Sequence, residues 1–382
     1  MKKLFLSQVL IVIFCAGAIQ TNASPQTSLT DLYKTGKASL NLELRITDEN
    51  LPEGTFFQNP MEMTGDQEGN IYVVDYRAHH IKKFDADGIF LKLLGREGEG
   101  PGEFMGPHRI TFAKDKLAVY ELLGRRLNTV DSDGNYIQNV LMNIGEGSLR
   151  GILTLPNGNI VVEKRKSYFW TEDRPQDCML FLFSPDLESL HRIYEHKIAR
   201  NKYITDPVRT NVPQPFYADM CWTTTPDGKI VIGFSETYEI SLYDPEKGEL
   251  FSFSHTYKPV KVTKQDRDKW FSGITYNRGS EIFQGAQDFV IKNTNFPKNK
   301  PPFHDIKVDP EGNILVFINS LDSVSDFTFF DAFDPKGHFI NRVEVVGDFK
   351  FQKNMPRIGK FFGAIATDED DLYQISLYTI SK

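Results

Sequence analysis

The sequence predicts an all-β protein, a six-bladed β-propeller of four-stranded antiparallel blades, and three observations lead there. Short apolar and β-branched runs alternate with Asp, Gly and Asn turns, as in Ile71-Tyr72-Val73-Val74-Asp75, then Ile81 to Phe84, then Phe90 to Leu94. Period-two patterning with such punctuation marks short antiparallel strands. One turn recurs as Glu68-Gly69-Asn70-Ile71, Asn157-Gly158-Asn159-Ile160, Asp227-Gly228-Lys229-Ile230 and Glu311-Gly312-Asn313-Ile314. An apolar residue stands eight positions before the first apolar residue after that turn, in Met63/Ile71, Ile152/Ile160, Trp222/Ile230, Ile306/Ile314 and Ala364/Leu372; Ile110/Leu117 is one residue shorter. Four-strand units repeated at one spacing suit a propeller and not a sandwich.

The chain opens with Met1-Lys2-Lys3, an apolar stretch from Leu4 to Cys15 and small residues up to Ala23, the layout of a secretory signal over residues 1–23. Its apolar run is shorter than the roughly 20 residues of a membrane-spanning helix, and no later segment replaces it, so no transmembrane span is expected. Lipid anchoring through Cys15 is disfavoured because Phe14 is bulky where a small residue normally precedes the lipidated Cys. The expected location is extracytoplasmic, periplasmic or secreted.

Losing Lys2 and Lys3 moves the formal charge from −7 to −9. An acidic exported protein is a poor partner for nucleic acid. Cys178 and Cys221 alone remain after cleavage, which gives no disulfide framework. They read as buried small side chains, with a bridge between them as the alternative.

The last unit runs out at Lys382 after its first strands, while an orphan strand-like stretch, Ser39 to Ile46, precedes the first unit. Joined, the two halves complete the last blade and close the ring, so residues 24–382 are expected to form a single domain. Two stretches lack the repeat, about 187–217 and 252–302. Each joins an outer strand to the next inner strand, which places both on the face opposite the short turns. Connections of this length are usually functional. In the second, Thr263 to Phe271 has a capping-box start and Ser280 to Ile291 has helical spacing. The pair could form a lid, and Trp270, Phe283 and Phe289 could pack the insert onto the propeller; the two readings are compatible.

The segment Pro60 to Phe104, with Gly69-Asn70-Ile71-Tyr72-Val73-Val74-Asp75 and Gly95-Arg96-Glu97-Gly98-Glu99-Gly100-Pro101-Gly102-Glu103-Phe104, resembles the NHL repeat. The whole resembles the six-bladed propeller proteins exported by many bacteria. That resemblance implies a fold and no single activity.

Two groups of residues are candidates for function. Lys164-Arg165-Lys166, followed by Tyr168, Phe169 and Trp170, is expected in the connection between the second and third strands of the third unit. Arg192, Lys197, Arg200, Lys202 and Arg209 lie nearby in sequence. A local basic and aromatic surface in an acidic protein suits an anionic small molecule, a glycan or a protein partner. Aligning the units on their common spacing puts Met61, His108, Arg150, Met220, His304 and Phe362 around the mouth of an axial channel. Glu62, Arg109, Gly151, Cys221, Asp305 and Gly363 form the next ring. A shift of one residue would turn the set to the other strand face. The charges among them must pair with one another or meet a ligand.

The peptide-amidating lyases, which resemble this layout, place several channel histidines on zinc. Here only His108 and His304 stand in the ring, on opposite blades and too far apart to share an ion. The carboxylate and amide set of the senescence-marker lactonases finds no counterpart, and no Gly-x-Ser-x-Gly elbow occurs. The expectation is a non-catalytic binding propeller with no cofactor and no metal, its ligand contacted by Arg150, Lys164, Arg165, Lys166, Tyr168, Trp170, His108, Arg109, His304 and Asp305. The competing reading is a metal-dependent lyase or hydrolase working at the channel.

Overall fold

The computed structural model describes residues 28–142, 147–166, 176–188, 190–198, 203–205, 211–213, 215–272, 288–319, 328–346 and 356–382. Residues 1–23 with Cys15, the candidate surface aromatics Tyr168, Phe169 and Trp170, and Phe283 lie outside them.

Helix α1 (Leu29–Lys34) opens the described chain, with Ser28 as N-cap, and leads into strand β1 (Lys37–Ile46). Four antiparallel strands follow as the first repeated unit, β2 (Pro60–Gly65), β3 (Ile71–Asp75), β4 (His80–Phe84) and β5 (Phe90–Leu94). The second unit is β6 (Pro107–Ala113), β7 (Lys116–Glu121), β8 (Arg126–Asp131) and β9 (Tyr136–Leu141). The third is β10 (Ser148–Thr154), β11 (Ile160–Lys166), β12 (Gln176–Phe183) and β13 (Leu190–Ile198). A small hairpin, β14 (Tyr203–Thr205) and β15 (Asn211–Pro213), precedes the fourth unit of β16 (Met220–Thr224), β17 (Ile230–Phe234), β18 (Glu239–Asp244) and β19 (Gly248–Ser254). Helix α2 (Lys264–Ser272) then leads towards β20 (Phe303–Val308), β21 (Ile314–Ile318), β22 (Thr328–Phe333) and β23 (Phe339–Val346). The chain ends in β24 (Arg357–Ile358), β25 (Phe361–Thr367) and β26 (Tyr373–Ser381). Strands pair in sequence order within each unit, an arrangement consistent with a β-propeller.

The turn between the first two strands explains why the units repeat. Gly69 has φ +88°, a left-handed conformation that costs an L side chain but not glycine. In the second unit the shortened connection puts Lys114 there instead, at φ +59°. A second device holds the start of four inner strands. Asp75, fully buried at the end of β3, accepts from the backbone amides of Gln58 at 2.9 Å and Asn59 at 2.8 Å and from Lys82 Nζ at 2.7 Å. Glu121 accepts the Met105 amide at 2.9 Å, Ser235 Oγ the Asp219 amide at 2.7 Å, and Asn319 Nδ2 donates to the Pro301 carbonyl at 2.6 Å. Four different side chains thus tie the incoming loop to the end of the second strand.

The core lies between neighbouring sheets. Met63, Ile71, Val73 and Phe84 of the first unit pack with Ile46, Ile375 and Leu377. Cys221, Ile240 and Tyr238 of the fourth unit pack with Phe303, Ile306 and Phe333 of the fifth. Each such side chain contributes about 1.5–3 kcal/mol by leaving water. Cys178 and Cys221 are both buried, and no disulfide joins them.

β1 pairs antiparallel with β26 from Ser39↔Ser381 to Ile46↔Ile375. It also pairs in parallel with β23 from Lys37↔Glu344 to Ser39↔Val346, which the sequence did not foretell. The second contact makes one eight-stranded sheet in the order β20-β21-β22-β23-β1-β26-β25-β24. Helix α1, too short to be stable alone, is held against this sheet. The Leu29 amide donates to Glu311 Oε1 at 2.8 Å, and the buried Tyr33 hydroxyl donates to Asp309 Oδ2 at 3.0 Å.

One boundary moves. Residues 190–198, expected inside the insert at 187–217, form strand β13 on the edge of the third unit, so the connection begins after Ile198. Arg192 and Lys197 therefore sit on an exposed edge strand, with Arg192 paired to Glu195 at 2.5 Å. The polar faces of that strand hid its alternation. In the second insert, α2 starts on the expected box: the Asp266 amide donates to Thr263 Oγ1 at 3.1 Å and the Thr263 amide to Asp266 Oδ2 at 2.8 Å. Asp266 is also paired with Lys300 at 2.7 Å, which pins the two ends of the insert together. Residues 288–293 are helical. Trp270 packs edge-on against Phe296 at 5.6 Å within the insert, and Phe216 from the preceding connection reaches the same ring at 6.4 Å. No helix among the described residues is long and apolar enough to cross a membrane.

Candidate functional site

A cavity of about 470 Å³ is enclosed by β2, β6, β10, β16, β20 and the β24–β25 hairpin. Contacts between adjacent inner strands run start to start and end to end. The Ile110 amide donates to Glu62 Oε2 at 3.0 Å, Arg109 Nε to the Arg150 carbonyl at 3.1 Å, and Cys221 Sγ to the His304 carbonyl at 3.4 Å. Further along, Thr111 and Thr154 share a 2.6 Å hydroxyl contact. The strand starts therefore lie at one end of the cavity, and that end holds Glu62, Arg109, Arg150 and Asp305. β16 and β20 begin where the two long connections arrive, so the charged end is the insert end. Thr64, Thr154 and Thr224 line the opposite end.

A β-bulge decides which residues face inward. The ladder skips Met61 between Pro60↔Asp75 and Glu62↔Val74, His108 between Pro107↔Glu121 and Arg109↔Tyr120, and His304 between Phe303↔Ile318 and Asp305↔Phe317. It skips Arg150 in β10 as well, whereas β16 runs without interruption. A bulge re-aims the side chains around it. Glu62, Arg109, Arg150 and Asp305 line the cavity, as do Met220 and Phe362.

His108 and His304 do not, which corrects their expected place across the channel. The His108 ring lies edge-on to Tyr76 at 6.2 Å, and its Nδ1 is buried without a hydrogen-bond partner. Burial, then the positive charges of Arg109 and Arg150, push its pKa down to about 4. The His304 ring stands 6.4 Å from Phe317.

The basic run is corrected too. Lys164, Arg165 and Lys166 belong to strand β11 and pair with Met179, Cys178 and Asp177 of β12, not to a loop. Lys164 is 3% exposed and does not line the cavity. Arg165 does line it, as the centre of a buried network: its guanidinium meets Glu163 at 2.6 Å and Asp219 at 2.5 Å. Trp222 Nε1 donates to the second oxygen of Glu163 at 2.8 Å. Gly151 opens the window for this meeting, because a Cβ there would stand 3.0 Å from the Trp222 ring and 3.4 Å from the Glu163 carboxylate. A glycine within a strand signals such an approach, and it was the available clue to Glu163.

Glu163, Asp219, Lys307 and Arg357 are the lining charges that sequence reasoning missed. Lys307 pairs with Asp305 at 2.9 Å. Burial pushes Glu62 up to about 7, against the lowering pull of Arg109, the Ile110 amide and Lys307. A half-buried carboxyl that titrates near neutrality is a frequent mark of a functional site. Among the described residues no group of three His, Cys, Asp or Glu side chains is placed to hold a metal ion.

No family model matches the chain. NHL repeat-containing protein 3 of Mus musculus is 33% identical over 81 residues, which is 20% of this chain and 23% of that protein. The match thus spans less than a quarter of the relative's length. Among solved structures, an exported protein of Bacteroides fragilis superposes with a TM-score of 0.52 at 12% identity, covering 90% of this chain and 96% of the other. A member of the DUF4221 family from Bacteroides vulgatus gives 0.50 at 11% identity, covering 90% and 99%. At these identities the likeness is one of fold. An NHL-type repeat in a propeller-like fold is what the chain shares with known proteins.

Proposed function

We propose that the chain is an exported, single-domain propeller of six blades over residues 24–382, closed by β1 beside β26, which binds a ligand without transforming it. The central cavity at the insert end carries this reading. Its charged lining converges from several units. Enclosed pockets of some 300–1,000 Å³ with a few convergent polar groups are the usual form of small-molecule sites. The signal-like N-terminus and the likeness to an exported Bacteroides protein support an extracytoplasmic location. Arg109, Arg150 and Asp305 are the residues of the expected set that the reading retains in the cavity. His108, His304 and Lys164 lose that role, and Arg165 acts within its ion-pair network.

Native mass spectrometry of protein recovered from the exporting cell tests this. The mature chain should begin at Ser24 and carry a small-molecule adduct. The adduct should be lost in Arg150→Gln and kept in the turn-face variant Asp87→Ala with Lys336→Ala. Loss only in the turn-face variant would put the site on the other side. Stoichiometric metal at the cavity would instead support a metal-dependent lyase or hydrolase.

A further inference from the structure

The cavity's charges do not cancel. Its lining carries five cationic side chains, Arg109, Arg150, Arg165, Lys307 and Arg357, against the carboxylates of Glu62, Glu163, Asp219 and Asp305. Glu163 and Asp219 are both taken by Arg165, and Asp305 by Lys307. Among the described residues no carboxylate lies within ion-pairing distance of the Arg109, Arg150 or Arg357 guanidinium. These three come from three different inner elements, β6, β10 and β24, which is how a cavity surrounds a ligand. Arg109 is fixed by its 3.1 Å bond to the Arg150 carbonyl, which leaves its outer nitrogens for a partner. A guanidinium presents planar paired donors that match a carboxylate.

Resting on the binding reading above, we infer that the cavity is a site for a small organic carboxylate, held by Arg109, Arg150 and Arg357. Glu62 makes that binding proton-linked. It shares the cavity with Arg109, Arg150, Arg357, Lys307 and Asp305, and it accepts a hydrogen bond from the Ile110 amide. Ionised, Glu62 supplies the negative charge that Arg109 lacks and repels an incoming anion. Protonated, it does neither. Since Glu62 titrates at about 7, the anion binds best below that pH and draws a proton onto Glu62 as it binds.

Isothermal titration of the mature protein with succinate and with glucuronate, each at pH 6 and pH 8, tests both parts, with glucose and inorganic phosphate as contrasting probes. Carboxylate affinity should fall severalfold, by up to about tenfold, from pH 6 to pH 8, and titrations at pH 7 in buffers of different ionisation enthalpy should show uptake of about half a proton. Glu62→Gln should keep the pH 6 affinity and lose both the pH dependence and the proton uptake. Arg150→Gln, at an exposed side chain outside the ion pairs among the described residues, should weaken carboxylate binding about tenfold or more with the fold intact by circular dichroism. Proton linkage that persists in Glu62→Gln would overturn the role of Glu62. Glucose or phosphate binding in preference to both carboxylates would overturn the ligand class and leave the binding reading standing. Failure of all four probes, with no adduct in the native spectrum, would remove both.

Discussion

Arg165 shows how far a residue's role can lie from its sequence context. In a run of three basic residues ahead of aromatics it reads as exposed recognition surface, yet it is a buried side chain between Glu163 and Asp219 that joins two units. The desolvated trio raises the guanidinium pKa through those two carboxylates despite the opposing burial. Removing one member of a buried ion-paired set leaves the others uncompensated. Arg165→Ala is therefore expected to cost about 3–5 kcal/mol in urea unfolding, a stability change and not a selective loss of ligand. The histidines give a pH signature of known sign. Burial lowers both His80 and His108 to about 4, below the roughly 6.5 of an unfolded histidine. Between those values the unfolded chain binds more protons, so stability is complete above about 6.5 and is lost as pH falls toward 4. Glu62 acts oppositely, because its raised pKa makes the folded state the better proton binder from the ordinary carboxylate range up to about 7. His108→Phe should flatten the acid limb of a stability-against-pH curve by roughly 1–2 kcal/mol between pH 6.5 and 4, after allowance for partial exposure. An unchanged limb would place the titrating groups elsewhere.

At the level of elements, spacing located the inner strands and could not locate their bulges. A bulge adds one residue to the ladder without altering the composition around it, so His108 and Glu62 exchange faces with no trace in the hydrophobic pattern. The turns were legible for the opposite reason: Gly69 and its counterparts meet a steric demand that few other residues satisfy. Helix α1 left only a weak signal, because its stability comes from a distant partner. The Tyr33 hydroxyl, fully buried, meets Asp309, whose other oxygen accepts the Asn313 amide at 2.9 Å. Tyr33→Phe keeps the ring packed against Phe330 and removes one donor from a buried carboxylate. The expected loss is about 1–3 kcal/mol by chemical denaturation. A cost near zero would mean that α1 is held by its apolar contacts alone.

For the molecule as a whole, the two ends of the chain carry the strongest claim made from sequence, that the stretch around Leu40 belongs beside the last strand. Their pairing concentrates nearly the greatest sequence separation available into one ladder, in which Asn41 stands opposite Thr379 and Asn41 Nδ2 donates to Ser381 Oγ at 2.6 Å. If this ladder closes a ring, opening it exposes the edge of β26 and the apolar side chains of Leu40 and Ile46, so the whole fold should depend on it. A crosslink measures that dependence directly. Opposed residues on antiparallel strands are close enough for a disulfide, and Asn41→Cys with Thr379→Cys would span almost the entire chain. Because such a bond removes loop entropy mainly from the unfolded state, the oxidised variant should gain about 2–5 kcal/mol and unfold several degrees higher. Reduction should return it to the wild-type midpoint. The native Cys178 and Cys221 are buried, which keeps them from competing for the new thiols. Ready formation of the bond without any rise in the unfolding midpoint would show that the chain ends meet but do not hold the structure shut, and the closed ring would then have to be abandoned.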